Sequence, residues 1–319
     1  GESYMEGWWD CEELDTFADK ALRANLDRQF RLTPSLLWHC LKAKLFNRQS
    51  RRRASQVGEQ HYDRGNDLFE AMLDPYMQYS CAYWEAGDSL AKAQLRKMQL
   101  ICEKLGLRED LHLLDIGCGW GGLARYAAER CGVRAEGVTI SREQAAYARR
   151  SGEAVDETGI SIRCGDYREL TGTFDRVVSV GMFEHVGSRN YKTFFNVVRR
   201  CLKDDGLFLL HTIGRDTPSA AATPGTNKYI FPNGQIPSPS QISGAMEEKF
   251  VLEDWHSFGP HYDRTLLAWW ENFSRAWPKL RNAYSERFYR MWRFFLLTSA
   301  GAFRSRKTQL WDPPVRLMA

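Results

Sequence analysis

The chain has 319 residues, 43% hydrophobic and 26% charged, enough for one large catalytic domain with a real core plus a smaller piece. Its formal net charge of +4 is too mild for a nucleic-acid binder, and no zinc-finger or RNP-type pattern is present; brief contact with an anionic membrane surface is compatible with it. No apolar stretch reaches the roughly 20 residues that span a bilayer, and the eight scattered cysteines form no CxxC pair, which fits a reducing cytoplasm.

Residues 1–57 read as a partial helical domain and linker. Leu14, Phe17, Ala18, Ala21, Leu22 and Leu26 recur at helical spacing, Leu36, Leu37, Leu41 and Leu45 repeat the pattern after Pro34, and a basic run follows at Arg48, Arg51, Arg52 and Arg53. The start, Gly1-Glu2-Ser3-Tyr4, has neither an initiator Met nor a signal-peptide pattern and reads as the interior of something longer. From residue 58 the texture changes. Asp67 is placed to cap a short helix through Leu68, Phe69 and Met72, residues 78–84 read as an ordered loop, and 89–105 as an amphipathic helix.

A strand–helix alternation then begins: strands at Leu111–Ile116, Val133–Ile140, Ile160–Cys164, Phe174–Val180 and Leu207–Thr212, with helices at Leu123–Cys131, 141–150 and 190–203, the last ending near Gly206. Such alternation implies right-handed crossovers and a parallel sheet with helices on both faces. Residues 214–240, rich in Pro, Gly, Ser and Thr, form a long loop of the kind that carries function. Phe250–Phe258 reads as a sixth strand. Two helical stretches follow within 261–304, broken at Pro278, and two prolines stop any strand that Gln309 begins.

Leu114–Gly122 (LDIGCGWGG) follows a strand and opens a helix. Its glycines let the backbone turn sharply and approach a ligand. They satisfy the dinucleotide pattern as well, so alone they do not choose between a nicotinamide cofactor and S-adenosylmethionine (SAM). The extra glycine density and Asp115 immediately before the loop resemble the first motif of class I SAM-dependent methyltransferases. At the second strand's tip, where an acid normally holds the ribose hydroxyls, stands Thr139, with Gln144 a helical turn on. After the third strand, Asp166 is placed to accept from an adenine amino group and Tyr167 to pack on the ring.

Glu184, His185 and His211 lie at the carboxyl ends of the fourth and fifth strands, where open α/β sheets bind ligands. Two strand ends delivering titratable groups to one rim point to a reactive site. Glu184, His185, His211 and Cys81 offer metal-ligating atoms, but no HExxH or tight ligand spacing supports a metal.

The segments GESYMEGWW (1–9), HYDRGNDLF (61–69), YSCAYW (79–84), LDIGCGWGG (114–122), GVTISREQ (137–144), VGMFEHVG (180–187), HTIG (211–214) and FPNG (231–234), in this order, resemble the bacterial cyclopropane-fatty-acyl-phospholipid synthases, with part of the pattern shared by the mycolic acid cyclopropane synthases. The resemblance covers nearly the whole chain. It implies a Rossmann-like class I methyltransferase fold over 58–319, with a lipid-pocket insertion around 214–240 and helices 261–304. It implies that Tyr79, Ser80, Gly117, Gly119, Thr139, Gln144, Asp166 and Tyr167 hold SAM, and that Cys81, Glu184, His211, Tyr262 and the Ile213 backbone hold a bicarbonate ion. The implied reaction adds a methylene from SAM across the cis double bond of an unsaturated phospholipid acyl chain, through a carbocation that bicarbonate deprotonates. Tyr76, Trp84, Phe183 and Tyr262 are the aromatic candidates for facing that cation. The implied partners are membrane phospholipid, met peripherally at the inner face of the cell membrane from the cytoplasm, and a second copy in a homodimer.

Three readings compete: a methyltransferase that leaves a methyl branch on the same chain, a non-catalytic lipid binder, and a nicotinamide oxidoreductase. Against the family pattern, the chain begins inside a longer N-terminal domain, residues 215–229 differ, and Asp312-Pro313-Pro314 stands where the closing strand is expected, which would expose a sheet edge.

Overall fold

The computed structural model describes residues 1–26, 65–151, 159–218 and 228–318, and elements are numbered among these. The basic run at 48–53 and His61-Tyr62-Asp63 lie outside them. Helices α1 (Glu2–Met5) and α2 (Leu14–Arg23) come first, then α3 (Asn66–Met72) and α4 (Leu90–Lys104). Ser89 starts α4: its hydroxyl accepts from the Lys92 amide at 3.3 Å, satisfying one of the donors that a first turn leaves over. The expected Asp67 cap is not made. Gly65 occupies the N-cap, and Asp67, inside the first turn, accepts from the Tyr284 hydroxyl at 2.9 Å.

The alternating region gives β1 (His112–Ile116), α5 (Gly122–Cys131), β2 (Arg134–Thr139), α6 (Arg142–Ser151), β3 (Ile160–Cys164), β4 (Phe174–Val180), α7 (Tyr191–Cys201) and β5 (Leu202–Gly214). These strands pair in parallel in the order β3-β2-β1-β4-β5. Winding reverses between β1 and β4, the switch point at which such sheets open a crevice beyond their carboxyl ends. Side chains alternate across the sheet as strand geometry demands. Val177, Phe208 and Leu210 pack with α7, while Val178 and Leu209 pack with α4 and α5 on the other face. Gly206 does not end a helix; it lies within β5, which starts earlier than expected, and the β4–β5 register shifts between Phe174 and Arg176.

The remaining elements are α8 (Pro239–Met246), β6 (Phe250–Leu252), β7 (His256–Ser257), α9 (Pro260–Leu280), α10 (Glu286–Arg304), β8 (Gln309–Asp312) and β9 (Pro314–Leu317). The sixth strand is thus two short ones. Nor does Pro278 break a helix: it sits in the last turn of α9, where it removes one amide donor, while buried Trp269, Phe273 and Leu280 pin the helix along its length.

The larger correction concerns the C-terminus. Two prolines do not abolish the closing strands. β8 and β9 both run antiparallel to β5, with Thr212 opposite Trp311 and Phe208 opposite Val315. A proline lacks the N–H but keeps its carbonyl, and these carbonyls are used: Pro313 O accepts from the Leu210 amide at 3.2 Å and Pro314 O from the Glu253 amide at 3.1 Å. Pro313 falls between the two strands and Pro314 is the first residue of β9.

Helices α9, α10 and α3 and the 77–84 loop build a third, aromatic-rich cluster. Helices α1 and α2 dock on α10, where Tyr4, Leu14 and Leu297 share a small core and Arg290 donates to the Tyr4 carbonyl at 2.7 Å. Among the described residues, no helix is long and apolar enough to cross a membrane.

Candidate active site

The ends of β1, β2 and β4, the turn after β3 and the loop before α4 surround one cleft, lined by every residue expected to hold SAM: Tyr79, Ser80, Gly117, Gly119, Thr139, Gln144, Asp166 and Tyr167. Two glycines make it. Gly117 has φ +89°, and a Cβ there would stand 2.5 Å from that of Met182. At Gly122 a Cβ would lie 1.8 Å from the Tyr76 carbonyl oxygen, so only glycine lets the 76–80 loop close over the start of α5. The Gly117 and Cys118 amides both donate to the Val138 carbonyl, at 2.8 and 3.0 Å, which ties the turn to the end of β2.

Thr139 and Gln144 form one unit. The threonine hydroxyl donates to Gln144 Oε1 at 2.8 Å, which leaves the glutamine amide nitrogen to face the Gly119 turn. Asp166 is engaged in a way its spacing does not reveal. Arg168 forks onto it, Nε to Oδ1 at 2.8 Å and Nη2 to Oδ2 at 2.7 Å. Burial pushes the adjacent Tyr167 hydroxyl up to about 12.

Sequence reasoning missed Lys97. It is 1% exposed and lies under the 78–80 loop, where Nζ donates to Ser80 Oγ at 2.9 Å and to Gln78 Oε1. Gln94, one turn earlier on α4, donates to the Ser80 carbonyl at 2.9 Å. Burial lowers Lys97 to about 8, against the opposing pull of Asp74, Cys81, Asp312 and Asp115. Burial likewise raises Asp115 to about 7 even though Lys97 favours its charge, and its Oδ1 has no hydrogen-bond partner among the described residues.

The five remaining predicted residues do not line the cleft, though Cys81 and Glu184 are the chain neighbours of its residues Ser80 and His185. Glu184, in the turn after β4, is buried; its Oε1 accepts from the Ile213 amide at 2.6 Å, while Oε2 has no hydrogen-bond partner among the described residues. Burial raises this carboxyl to about 7, with the Ile213 amide, its own backbone amide and the Thr212 hydroxyl acting the other way. The Ile213 N–H, expected to face an ion, is therefore already directed at Glu184. His211 precedes Ile213 by two positions on β5, on the same face of the strand. Its Nδ1 meets Asp312 Oδ1 at 3.0 Å. Cys81, fully buried and pushed well up by that burial, has its Sγ 4.0 Å from the Thr265 hydroxyl on α9. Cys81, Tyr262 and Ile213 share the aromatic-rich cluster.

Of the aromatic candidates, Tyr262 and Trp84 belong to that cluster. Phe183 and Tyr76 do not. Phe183 stacks on Tyr191 at 4.3 Å in the core under α7, and the Tyr76 hydroxyl donates to Glu129 at 2.8 Å near the surface. Ring contacts do link the cleft to α9, through Tyr79 of the cleft lining, Trp269 of α9 and Phe231. Tyr79 lies 5.0 Å from Trp269 and 6.4 Å from Phe231, and Trp269 lies 6.0 Å from Tyr262. Trp269 carried no sequence signal beyond its hydrophobicity.

Known proteins share this arrangement of chain and fold. The profile of the mycolic acid cyclopropane synthetase family matches residues 49–312. Cyclopropane-fatty-acyl-phospholipid synthase of Escherichia coli (strain K12) is 54% identical over 312 residues, covering 98% of this chain and 81% of that one. A probable fatty acid methyltransferase of Pseudomonas putida is 37% identical, covering 76% of this chain and 64% of its own. Among solved structures, the cyclopropane synthase MmaA2 from Mycobacterium tuberculosis superimposes with a TM-score of 0.78 at 31% identity, over 83% of this chain and 98% of that one. The mycolic acid cyclopropane synthase CmaA1, complexed with SAH and CTAB, does so with a TM-score of 0.78 at 30% identity, over the same shares.

Proposed function

The chain belongs to the mycolic acid cyclopropane synthetase family, and from that premise we propose that it is a SAM-dependent enzyme that transfers a methylene to the cis double bond of an unsaturated phospholipid acyl chain, closing a cyclopropane ring. The observation that carries the reading is Glu184: a buried carboxyl with one oxygen on the Ile213 amide and one without a hydrogen-bond partner among the described residues, next to His185 of the cleft and bonded to Ile213 of the aromatic cluster. A binding module has no use for such a group.

The cleft fits SAM. A Cβ at Gly119 would meet no atom nearer than Gln144 Nε2 at 3.9 Å, so the turn leaves open space on the cleft, and Asp115 offers a buried acceptor atom. Gly117 and Gly119, Tyr79 and Ser80 over the methionine end, Thr139 with Gln144, and Asp166 with Tyr167 near the adenine would hold it. When bound, SAM supplies a sulfonium-activated methyl, whose transfer to the alkene leaves a carbocation on the acyl chain. Water would quench that cation, and the rings of Tyr79, Trp269, Phe231 and Tyr262 exclude it while offering their negative faces. Cys81, Glu184, His211 and Tyr262 would hold bicarbonate, a base for the departing proton, with the Ile213 backbone acting through Glu184, on which its amide is spent. Glu184 orients this set, its own position fixed by the Ile213 amide.

Residues 58–319 form the catalytic domain in this reading, with the segment around 214–240, α9 and α10 forming the acyl pocket and 1–57 a helical appendage. Contact with the inner face of the cell membrane from the cytoplasm, and a homodimer, follow from the family resemblance and from the substrate's place in a bilayer. The test is incubation with SAM and vesicles of cis-monounsaturated phospholipid, followed by proton NMR of the extracted acyl chains. Upfield cyclopropane ring signals should grow as olefinic signals fall. An unchanged lipid spectrum alongside measured SAM binding would refute the assigned substrate.

A further inference from the structure

The C-terminal residues that depart from the family pattern bring a carboxylate into the site. Asp312 closes β8 and is 0% exposed; His211, on the neighbouring strand β5, is 1% exposed. Oδ1 of Asp312 lies 3.0 Å from His211 Nδ1. Lys104 on α4 places Nζ 3.5 Å from Asp312 Oδ2 and also donates to the Asp312 carbonyl at 3.3 Å. Burial by itself would raise the Asp312 carboxyl; His211 and Lys104 outweigh it and hold the group below the ordinary carboxylate value. An ionised carboxylate only accepts hydrogen bonds, so Nδ1 of His211 must carry a proton and donate it. That leaves Nε2, which is buried and has no partner among the described residues, as the nitrogen able to take a second proton.

We propose that Asp312 is a positioning residue for this reaction: it locks His211 in the Nδ1–H tautomer and pairs with the imidazolium that forms when the proton of ring closure comes to rest on Nε2. The inference rests on the reading of His211 given above. The step balances. A C–H bond of the transferred methyl breaks, its electron pair closes the ring and neutralises the cation, and the proton is relayed through the bicarbonate of that reading to Nε2. Two neighbouring facts serve this role. Lys104 also meets His256 Nδ1 at 3.1 Å and Asp254 at 3.9 Å, so its ammonium is held in place beside Asp312. The backbone at Asp312 is paired opposite His256 of β7, which fixes the carboxylate's origin. A buried acid–imidazole pair of this kind orients the ring and stabilises its protonated form without itself taking the proton.

The experiment is nitrogen-15 NMR of histidine-labelled protein together with steady-state kinetics of the full chain and of Asp312→Asn. The wild-type spectrum should show His211, assigned by its loss in His211→Ala, as the Nδ1–H tautomer. In Asp312→Asn, kcat should fall by about 10²-fold or more, the tautomer should shift toward Nε2–H, and the SAM dissociation constant from calorimetry should stay within about twofold. A wild-type spectrum showing the Nε2–H tautomer overturns the proposal without any variant. So does an Asp312→Asn enzyme that keeps its kcat, or one that loses it with the tautomer unmoved. Full turnover in His211→Ala would instead sink the underlying reading of His211, whatever Asp312 does.

Discussion

Glu184→Gln should lose turnover by about 10²–10⁴-fold while SAM affinity stays within a few-fold. The amide keeps the shape and, through Oε1, the acceptor for the Ile213 N–H at 2.6 Å. It loses only the ability to carry charge and exchange a proton. The same variant should be more stable than the parent at alkaline pH. Burial lifts the folded-state Glu184 from the ordinary 4.5 to about 7, which means that the native state resists its ionisation. A carboxyl raised in this way destabilises the fold fully above about pH 7 and not at all below about 4.5, where folded and unfolded chains are both protonated. The rise from 4.5 to about 7 corresponds to about 3 kcal/mol. Urea unfolding should therefore show the stability difference between variant and parent growing by about that amount from pH 4 to pH 8. The absolute gain will be smaller, because the new amide N–H takes the place of a buried oxygen that has no hydrogen-bond partner among the described residues. Equal loss of turnover and SAM binding, or a stability difference that ignores pH, would remove Glu184 from the reactive set.

The second large effect is expected at Lys97, which touches neither of the proposed ligands' main holding residues except through Ser80. Lys97→Met keeps the apolar stem and deletes the ammonium. Ser80 Oγ and Gln78 Oε1 then lose their donor, and Asp115 and Asp74 lose the buried cation that favours their charge. The loop carrying Tyr79, Ser80 and Cys81 is anchored there, so its displacement should reduce kcat/KM for SAM by about 10²-fold, the usual effect of an ångström-scale shift in a positioning element. The acceptors left unsatisfied cost about 1–3 kcal/mol. Against this, the fall of the lysine from 10.5 to about 8 means that its charged form costs the fold about 3 kcal/mol below that pH, so the net change in stability at pH 7 should be small beside the loss of SAM affinity. Calorimetric titration with SAM and urea unfolding at pH 7 measure both. Unaltered SAM affinity would mean that Lys97 holds the fold and not the site.

Much of this architecture was legible in local pattern. The alternation of apolar runs with helical spacing between 111 and 212 gave the parallel sheet, and the glycine density at 117–122 marked its crevice. The SAM-cleft residues lie on turns directly after strands, which is why motif and geometry agree there. What was not legible depends on partners distant in sequence. Prolines at 313 and 314 read as strand breakers because the rule concerns amide donors; their carbonyls found Leu210 and Glu253. Asp312 had no local signal, since its partner lies 101 residues away. Lys97 did leave a trace: it falls on the buried stripe of α4 between Gln94 and Ile101, a charged residue where an apolar one is expected. Phe183 and Tyr76 show the converse, for a ring near the right motif can point into another core.

The most direct test of the central claim follows the hydrogens of the transferred carbon. SAM carrying a fully deuterated methyl group is supplied with vesicles of cis-monounsaturated phospholipid, and the acyl chains are analysed by mass spectrometry and proton NMR. Ring closure by loss of a proton from the transferred methyl predicts a cyclopropane that retains two of the three deuterons, with the third lost to solvent. A product that retains all three would show a methyl branch, and would contradict methylene transfer as the reaction of this site.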